Sequence, residues 1–324
     1  MPFSGVVGVV GVTGLVGRTM MEILQERSFP VTRFLAFASD ASGGRSVSFG
    51  GLETPVQIIT PGGIGKGTLL FGATSAEVAR EWVPGCLAAG AAIVDNSSAY
   101  RMDPDVPLVV PEVNGSVLTG YGGLVANPNC STIQLVLALA PLLSVREILW
   151  VSVATYQSVS GAGTPALDEL ERQTRGAEPS PGSPLLHGNV VTSIGPASDE
   201  GFCGEEVKLM RETSRILGTR FPVYAATARV PVRTGHTEAV TVRLSSPLSP
   251  GEAAALLADS PGVVVRDGGS GPVDAAGRDE VIVDRIRRHP DDPCALQMWV
   301  IADNVRKGAA LNAVQIAELL LRLP

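Results

Sequence analysis

Apolar residues in the first part of the chain fall in short runs, at positions 6–10, 34–38, 68–73 and 91–95, the third opening on Thr68 and the last closing on Asp95. Runs of that length, rich in Val, Ile and Leu, are what a strand buried on both faces of a parallel sheet requires. The segments between them change period. Met20, Met21, Ile23 and Leu24 mark a helix reaching about residue 27, and residues 76–82 follow the same spacing. Strands alternating with helices predict βαβ units, an α/β fold built as a doubly wound, Rossmann-like parallel sheet. Residues 133–140, Ile-Gln-Leu-Val-Leu-Ala-Leu-Ala, read as a helix too apolar to be anything but buried.

Beyond residue 130 the texture changes. Positions 151–156, 225–232, 238–244 and 296–302 show mixed alternation expected of strands, with a helix at 205–217. Residues 174–204, rich in Gly, Ser and Pro, and residues 259–279 read as long loops. The pattern predicts a second, α+β domain with a mostly antiparallel or mixed sheet. Ala310, Val314, Ala317 and Leu321 carry one helical face of a final segment from 305 to about 321. The expected division is residues 1–130 and 131–304.

A chain of 324 residues exceeds what one hydrophobic core usually serves, in keeping with two domains. Its 45% hydrophobic and 18% charged residues suit a globular enzyme with ample core. The net charge of −7 and the absence of a Lys/Arg-rich run argue against nucleic acid as a partner. No apolar run reaches membrane-spanning length, and the N-terminal residues lack the pattern of a secretory signal. Cys86, Cys130, Cys203 and Cys294 are scattered, without the spacing of a metal site. Reduced thiols and a cytoplasmic location are the expectation.

Candidate chemistry concentrates at few positions. In Asn127-Pro-Asn-Cys-Ser-Thr132, Asn-Pro marks a turn and Cys130 falls at the start of the apolar helix. There the oriented N–H groups and the positive end of the helix dipole favour thiolate, making Cys130 a candidate nucleophile; a packing cysteine is the alternative. Gly11, Gly14 and Gly17 lie between a strand and a helix, where glycines let backbone approach a pyrophosphate, although the spacing departs from G-x-G-x-x-G. Of three histidines, His187 sits in a polar loop and His289 follows two arginines. His236, between two expected strands, is either a structural histidine or an acid/base. Arg229 and Arg233 read either as solvated charges or as anion ligands. Glu205 and Lys208 are i, i+3 neighbours able to form a surface ion pair, and Arg101 follows a strand at the carboxyl edge of the sheet.

In order, these segments resemble one family. The segments at 11–17, Asp95-Asn-Ser-Ser-Ala-Tyr-Arg101, Val109-Val-Pro-Glu-Val-Asn114, Asn127–Thr132, Gln157-Ser-Val-Ser-Gly-Ala-Gly163, Glu205-Glu-Val-Lys208, Arg229-Val-Pro-Val232 with His236, and Asp303-Asn-Val-Arg-Lys-Gly-Ala-Ala310 with Asn312 and Gln315 are similar to aspartate-semialdehyde dehydrogenases. The resemblance runs essentially end to end. It implies Cys130 as acyl-thioester nucleophile, His236 as acid/base and Gln157 as the group orienting the acyl intermediate. It implies Arg229 on the substrate α-carboxylate, Glu205 on its amine, Asn129 in the substrate site, and Arg101 and Lys208 on phosphate. Gly11, Thr13, Gly14, Leu15, Val16, Gly17, Ser39, Ser42, Ser160, Gly161, Asn304 and Gln315 would contact the dinucleotide. The resemblance further implies that residues 305–324 complete the nucleotide domain, no metal, and a homodimer or homotetramer.

The cofactor position carries one departure. Relatives commonly place an arginine after the second strand to receive the NADP 2′-phosphate; here Ala41 aligns there, beside Asp40. An acid at that edge favours a free ribose hydroxyl, hence NAD, whereas Ser39, Ser42 and Arg45 could hold a phosphate. The family resemblance implies NADP. Other readings are a paralogous reductase of a different acyl phosphate or acyl thioester, which would alter the Glu205/Arg229 clamp, and a catalytically silent structural homologue, against which the intact Cys130, Gln157 and His236 speak.

Overall fold

The structure, a computed structural model, describes residues 3–39 and 44–322. The chain divides into two compact units, residues 1–128 with 309–324, and residues 129–308.

The first unit is a seven-stranded sheet. Its strands are β1 (Val6–Val10), β2 (Arg33–Phe37), β3 (Ser46–Phe49), β4 (Leu52–Gln57), β5 (Leu69–Gly72), β6 (Ala92–Asp95) and β7 (Leu124–Ala126), in the order β3-β4-β2-β1-β5-β6-β7. All neighbours run parallel except the β3–β4 hairpin. That hairpin turns on Gly50 and Gly51, both at positive φ, as a two-residue hairpin requires. Helices α1 (Leu15–Glu26), α2 (Ala76–Ala88) and α3 (Pro111–Asn114) belong here, together with a C-terminal helix, Leu311–Arg322. The latter adds Leu311, Val314 and Ile316 to a core with Val7, Met20, Leu24 and Phe71. The expected start at residue 305 is corrected: Arg306–Ala310 form one wide turn, and the α-helix proper begins at Leu311.

The second unit holds a six-stranded mixed sheet in the order β11-β12-β13-β10-β8-β9. The elements are α4 (Cys130–Leu143), β8 (Ile148–Gln157), α5 (Thr164–Thr174), α6 (Gly204–Leu217), β9 (Val223–Arg229), β10 (His236–Leu244), α7 (Pro250–Ala258), β11 (Val263–Arg266), α8 (Pro272–Ala275), β12 (Val281–His289) and β13 (Asp292–Ala302). The β8, β10, β13 and β12 strands are antiparallel in turn; β9 and β11 add parallel to the two edges. Two expectations shift. The strand expected over 225–232 ends at Arg229, because Pro231 has no N–H to give a ladder. The loop expected over 259–279 contains β11 and α8, the Val263-Val264-Val265 run pairing with β12. The 174–204 segment is tied down by Glu169 and Gln173 of α5. Glu169 accepts from Arg172, Gln173 and Ser180, and the Gln173 oxygen accepts from the Leu186 N–H at 2.7 Å.

Among the described residues no helix is long and apolar enough to cross a membrane. Nor do three His, Cys, Asp or Glu gather as a metal site needs.

Candidate active site

Cys130 is the first residue of α4, a helix buried on nearly every face. Its N-cap is Asn129, whose Oδ1 accepts from the backbone N–H of Ser131 (3.1 Å) and Thr132 (3.3 Å). This cap satisfies two of the helix's free donors and leaves the positive end of α4 at the thiol, the arrangement that favours thiolate. Asn129 is itself held from α6. Its N–H donates to Glu212 at 2.7 Å and its Nδ2 to Glu205 at 2.8 Å, while Lys208 forms an ion pair with the other Glu205 oxygen. Backbone closes on the thiol from one side: a Cβ on Gly308 would lie 2.9 Å from the Cys130 Cβ. No side chain larger than hydrogen fits there without displacement.

His236 opens β10 and is fully buried. Its Nδ1 accepts from the Ser158 backbone N–H at 3.1 Å, so in the neutral ring the proton sits on Nε2, which has no hydrogen-bond partner. Burial first, and the nearby Arg229 charge second, push its pKa down to about 3; at neutral pH the ring is uncharged. Ser158 and Ser160 meet the side chain of Asn304, whose Oδ1 also accepts from the Gly235 N–H at 2.9 Å. That network fixes the turn before His236. Gly161 leaves room at the imidazole. A Cβ there would come within 3.3 Å of Nε2 and 2.8 Å of the Arg229 guanidinium.

Arg229 ends β9 and donates to the Ser158 carbonyl at 2.7 Å. Burial lowers its pKa, opposed by the charges of Cys130 and Glu205, which lie within electrostatic reach. Its register partner across β8 is Gln157, a buried amide that donates to Thr155 Oγ1 at 3.2 Å. Cys130, Asn129, Gln157, Glu205, Lys208, Arg229 and His236 therefore converge within the second unit, with Gly161 at the Nε2 edge of the imidazole and Ser160 and Asn304 behind it. Beside Arg229 the tethered 174–204 segment walls a cavity of about 370 Å³ with Val159, Pro165, Leu186 and Ile194.

Arg101 belongs to the first unit, where it is 8% exposed and donates to the Asn96 carbonyl at 2.7 Å. The carboxyl ends of β1, β2 and β5 border a cavity of about 640 Å³ lined by Gly11, Thr13, Gly14, Ala38, Ser39, Ala73 and Thr74. The strand order reverses between β1 and β5, the place where open α/β sheets take a dinucleotide. The glycines fit that use. Gly11 has φ +89° and its Cβ would strike the Ala73 carbonyl at 2.3 Å; one on Gly17 would strike the Gly11 carbonyl at 2.2 Å. Leu15 and Val16 start α1, and the side chain of Gln315 in the C-terminal helix donates to Glu112 at 3.1 Å. Ser42, with Asp40 and Ala41, lies outside the described residues.

Several residues escaped the sequence reading. Glu212 holds the cap of the nucleophile helix, and Gly308 makes room beside it. Asn96, Asn127 and Asn312 form an amide chain in the first unit, Asn127 to Asn96 at 2.8 Å and Asn312 to Asn127 at 2.7 Å. Glu238 and Gln134 are both fully buried, and neither carboxyl oxygen of Glu238 has a hydrogen-bond partner. Asn96, Asn127, Gly308 and Asn312 stood inside segments already noted, and Glu238 opened the strand expected at 238–244, but an isolated Asn or Glu in a sequence carries no signal of burial.

Comparison with known proteins gives concordant results. Residues 6–121 match the family model described as semialdehyde dehydrogenase, NAD binding domain, and residues 139–307 match semialdehyde dehydrogenase, dimerisation domain. The aspartate-semialdehyde dehydrogenase of Aquifex aeolicus is 43% identical, over 98% of both chains. A crystal structure of aspartate-semialdehyde dehydrogenase II from Vibrio cholerae, complexed with ASA, superposes with a TM-score of 0.93 at 38% identity, covering 98% of each chain. The Candida albicans enzyme solved with NADP gives 0.77 at 26% identity, again over 98% of each.

Proposed function

Because the chain belongs to the aspartate-semialdehyde dehydrogenase family, we propose that it reduces L-aspartyl-4-phosphate to L-aspartate-4-semialdehyde and phosphate through a thioester on Cys130. The observation that carries this reading is a helix-start cysteine facing, in one unit, a carboxylate–lysine pair, a half-buried arginine and a neutral histidine with a free Nε2–H. The Cys130 thiolate adds to the acyl carbonyl, forming the C–S bond, and the C–O bond to phosphate breaks. His236 Nε2–H donates to the oxygen that gains negative charge in this adduct and keeps the proton as the carbonyl re-forms. The thioester is then a good hydride acceptor. The glycine turn, Ser39 and Gln315 would hold NADP, which in its reduced form would supply the hydride. Expulsion of the Cys130 thiolate from the resulting tetrahedral oxyanion releases the aldehyde. Gln157 orients the acyl group, Arg229 pairs with the α-carboxylate, Glu205 with the amine, and Lys208 and Arg101 with the phosphate.

The division of labour between residues 1–130 completed by 305–324, and residues 131–304, follows from the same reading: cofactor in one, chemistry and dimerisation in the other. The outward face of β8, β9 and β13 supports a homodimer. Tyr224 is 62% exposed against Trp150, and Tyr156, 40% exposed, lies against Trp299; exposed aromatics at such density mark association surfaces. A place in lysine, threonine and methionine biosynthesis, in the cytoplasm, accords with this activity. The test is phosphate-dependent reduction of NADP and of NAD by the purified protein with aspartate semialdehyde. Turnover with NADP that needs phosphate is expected; no phosphate requirement would overturn the acyl-phosphate assignment.

A further inference from the structure

Glu238 is charged in sequence and has no evident business where it lies. It is fully buried on β10, directly opposite Val300 of β13 and Thr155 of β8. Gln134, fully buried on α4, reaches the same point: its Nε2 donates to the carbonyl of Val300 at 3.3 Å. The Gln134 side chain lies near enough to the Glu238 carboxyl to favour its charged form, a pull that burial outweighs. Yet the Gln134 oxygen finds no donor, and neither Glu238 oxygen has a partner. Three unsatisfied acceptors at one buried contact are costly, and one proton on the carboxyl together with the second Gln134 amide N–H is enough to resolve them. A proton held on one carboxyl oxygen can be donated to the Gln134 oxygen while the other carboxyl oxygen accepts from the amide. Burial independently raises the Glu238 pKa well above the ordinary carboxylate range.

The positions of the two residues matter. Gln134 is four residues beyond Cys130, one turn along the same face of α4; Glu238 is two residues beyond His236, on the same buried face of β10. Building on the Cys130–His236 assignment above, we propose that Glu238 and Gln134 form a carboxylic acid–amide brace between the nucleophile's helix and the strand of the acid/base, making both of them positioning residues. The brace sets the distance at which thiol and imidazole meet. Neither residue touches the reacting atoms.

Three substitutions test it: Glu238→Gln, which keeps a donor of the same shape; Glu238→Leu, which removes it; and Gln134→Leu, which removes the acceptor. Each is read by kcat and KM, and by the rate at which iodoacetamide alkylates Cys130, followed by mass spectrometry. Glu238→Gln should stay within about threefold of wild type in both. Glu238→Leu and Gln134→Leu should lose about tenfold or more in kcat and in alkylation rate, with KM changed less than about threefold. If Glu238→Leu does not fold, Gln134→Leu carries the same comparison. Wild-type rates in the leucine variants would overturn the brace, and so would a Glu238→Gln variant as impaired as Glu238→Leu, which would mean that the carboxylate form is needed. The alkylation readout needs no substrate. A wild-type protein inactive on aspartate semialdehyde would therefore count against the proposed function while leaving the brace to be decided by its own measurement.

Discussion

His236 and Glu238 are buried side by side on one strand, and burial moves their pKa values apart, down to about 3 for the histidine and well above 4.5 for the acid. The two therefore tilt stability oppositely with pH. The unfolded histidine takes up a proton below about 6.5 that the folded one refuses, so its contribution is complete above that pH and lost as pH falls towards 3. The folded acid keeps a proton that the unfolded chain has released above about 4.5, so its contribution is complete below that pH and declines as pH rises. Each slope is limited to about 1.4 kcal/mol per pH unit. Between about pH 4.5 and 6.5 the two slopes offset, and above 6.5 only that of Glu238 remains, so denaturant unfolding of Glu238→Gln should lack the decline that wild type shows above pH 6.5; parallel curves there would place the carboxyl in an ionised state. For the chemistry, Cys130→Ala should abolish turnover, and mass spectrometry of wild type with substrate should find the acyl adduct on Cys130 rather than on Cys86, Cys203 or Cys294. His236→Asn should lower kcat by about 10²–10⁴. Arg229→Leu should cost about 2–5 kcal/mol in kcat/KM, because a buried substrate carboxylate is left unpaired; wild-type behaviour would exclude an α-amino acid derivative as substrate.

At the scale of elements, the structure makes the start of α4 the most heavily determined point of the second unit. Asn129 caps the helix, Glu212 and Glu205 hold the cap, and Gly308 leaves the space beside the thiol. Asn129→Ala should cost about 0.5–2 kcal/mol of stability for the lost cap and also slow Cys130 alkylation, since Glu205 loses its tether to the helix. Melting temperature and alkylation rate measured together check this; a loss of stability with alkylation unchanged would confine Asn129 to structure. Most of this element was legible beforehand, because Asn-Pro-Asn-Cys before an apolar run is a local signal. Strands β1, β2, β5 and β6 were legible for the same reason. What escaped has physical causes. In the β3–β4 hairpin Val47, Phe49, Leu52 and Val56 do alternate with polar positions, but over strands of only four and six residues with Pro55 inside the second, so the signal is short despite the Gly50-Gly51 turn between them. Strand β11 is four residues long and flanked by glycines, so its valines looked like loop. The partners of Glu238 and Asn304 depend on strands far apart in the chain meeting in one register, which no local pattern encodes.

On the scale of the whole molecule, one surface and one connection stand out. Tyr156→Asp with Tyr224→Asp should shift the protein from dimer to monomer in analytical ultracentrifugation while leaving the far-ultraviolet circular dichroism unchanged; a dimer that survives both charges would move the interface elsewhere. The connection concerns the order in which the chain leaves the ribosome. The sheet that begins at Val6 is covered on one side by Leu311–Arg322, and these are separated by the whole of residues 129–308. At a synthesis rate of about 5–20 residues per second, that interval lasts roughly 10–40 s. Throughout it, the valine-rich strands emerge and pair while Val7, Met20, Leu24 and Phe71 await the helix that will shield them. The later, contiguous unit can close first. Chains stalled before residue 309 should therefore present a protease-resistant second unit and a digestible first one, and it is the nucleotide-binding half, though made earlier, that should lean on chaperones during synthesis.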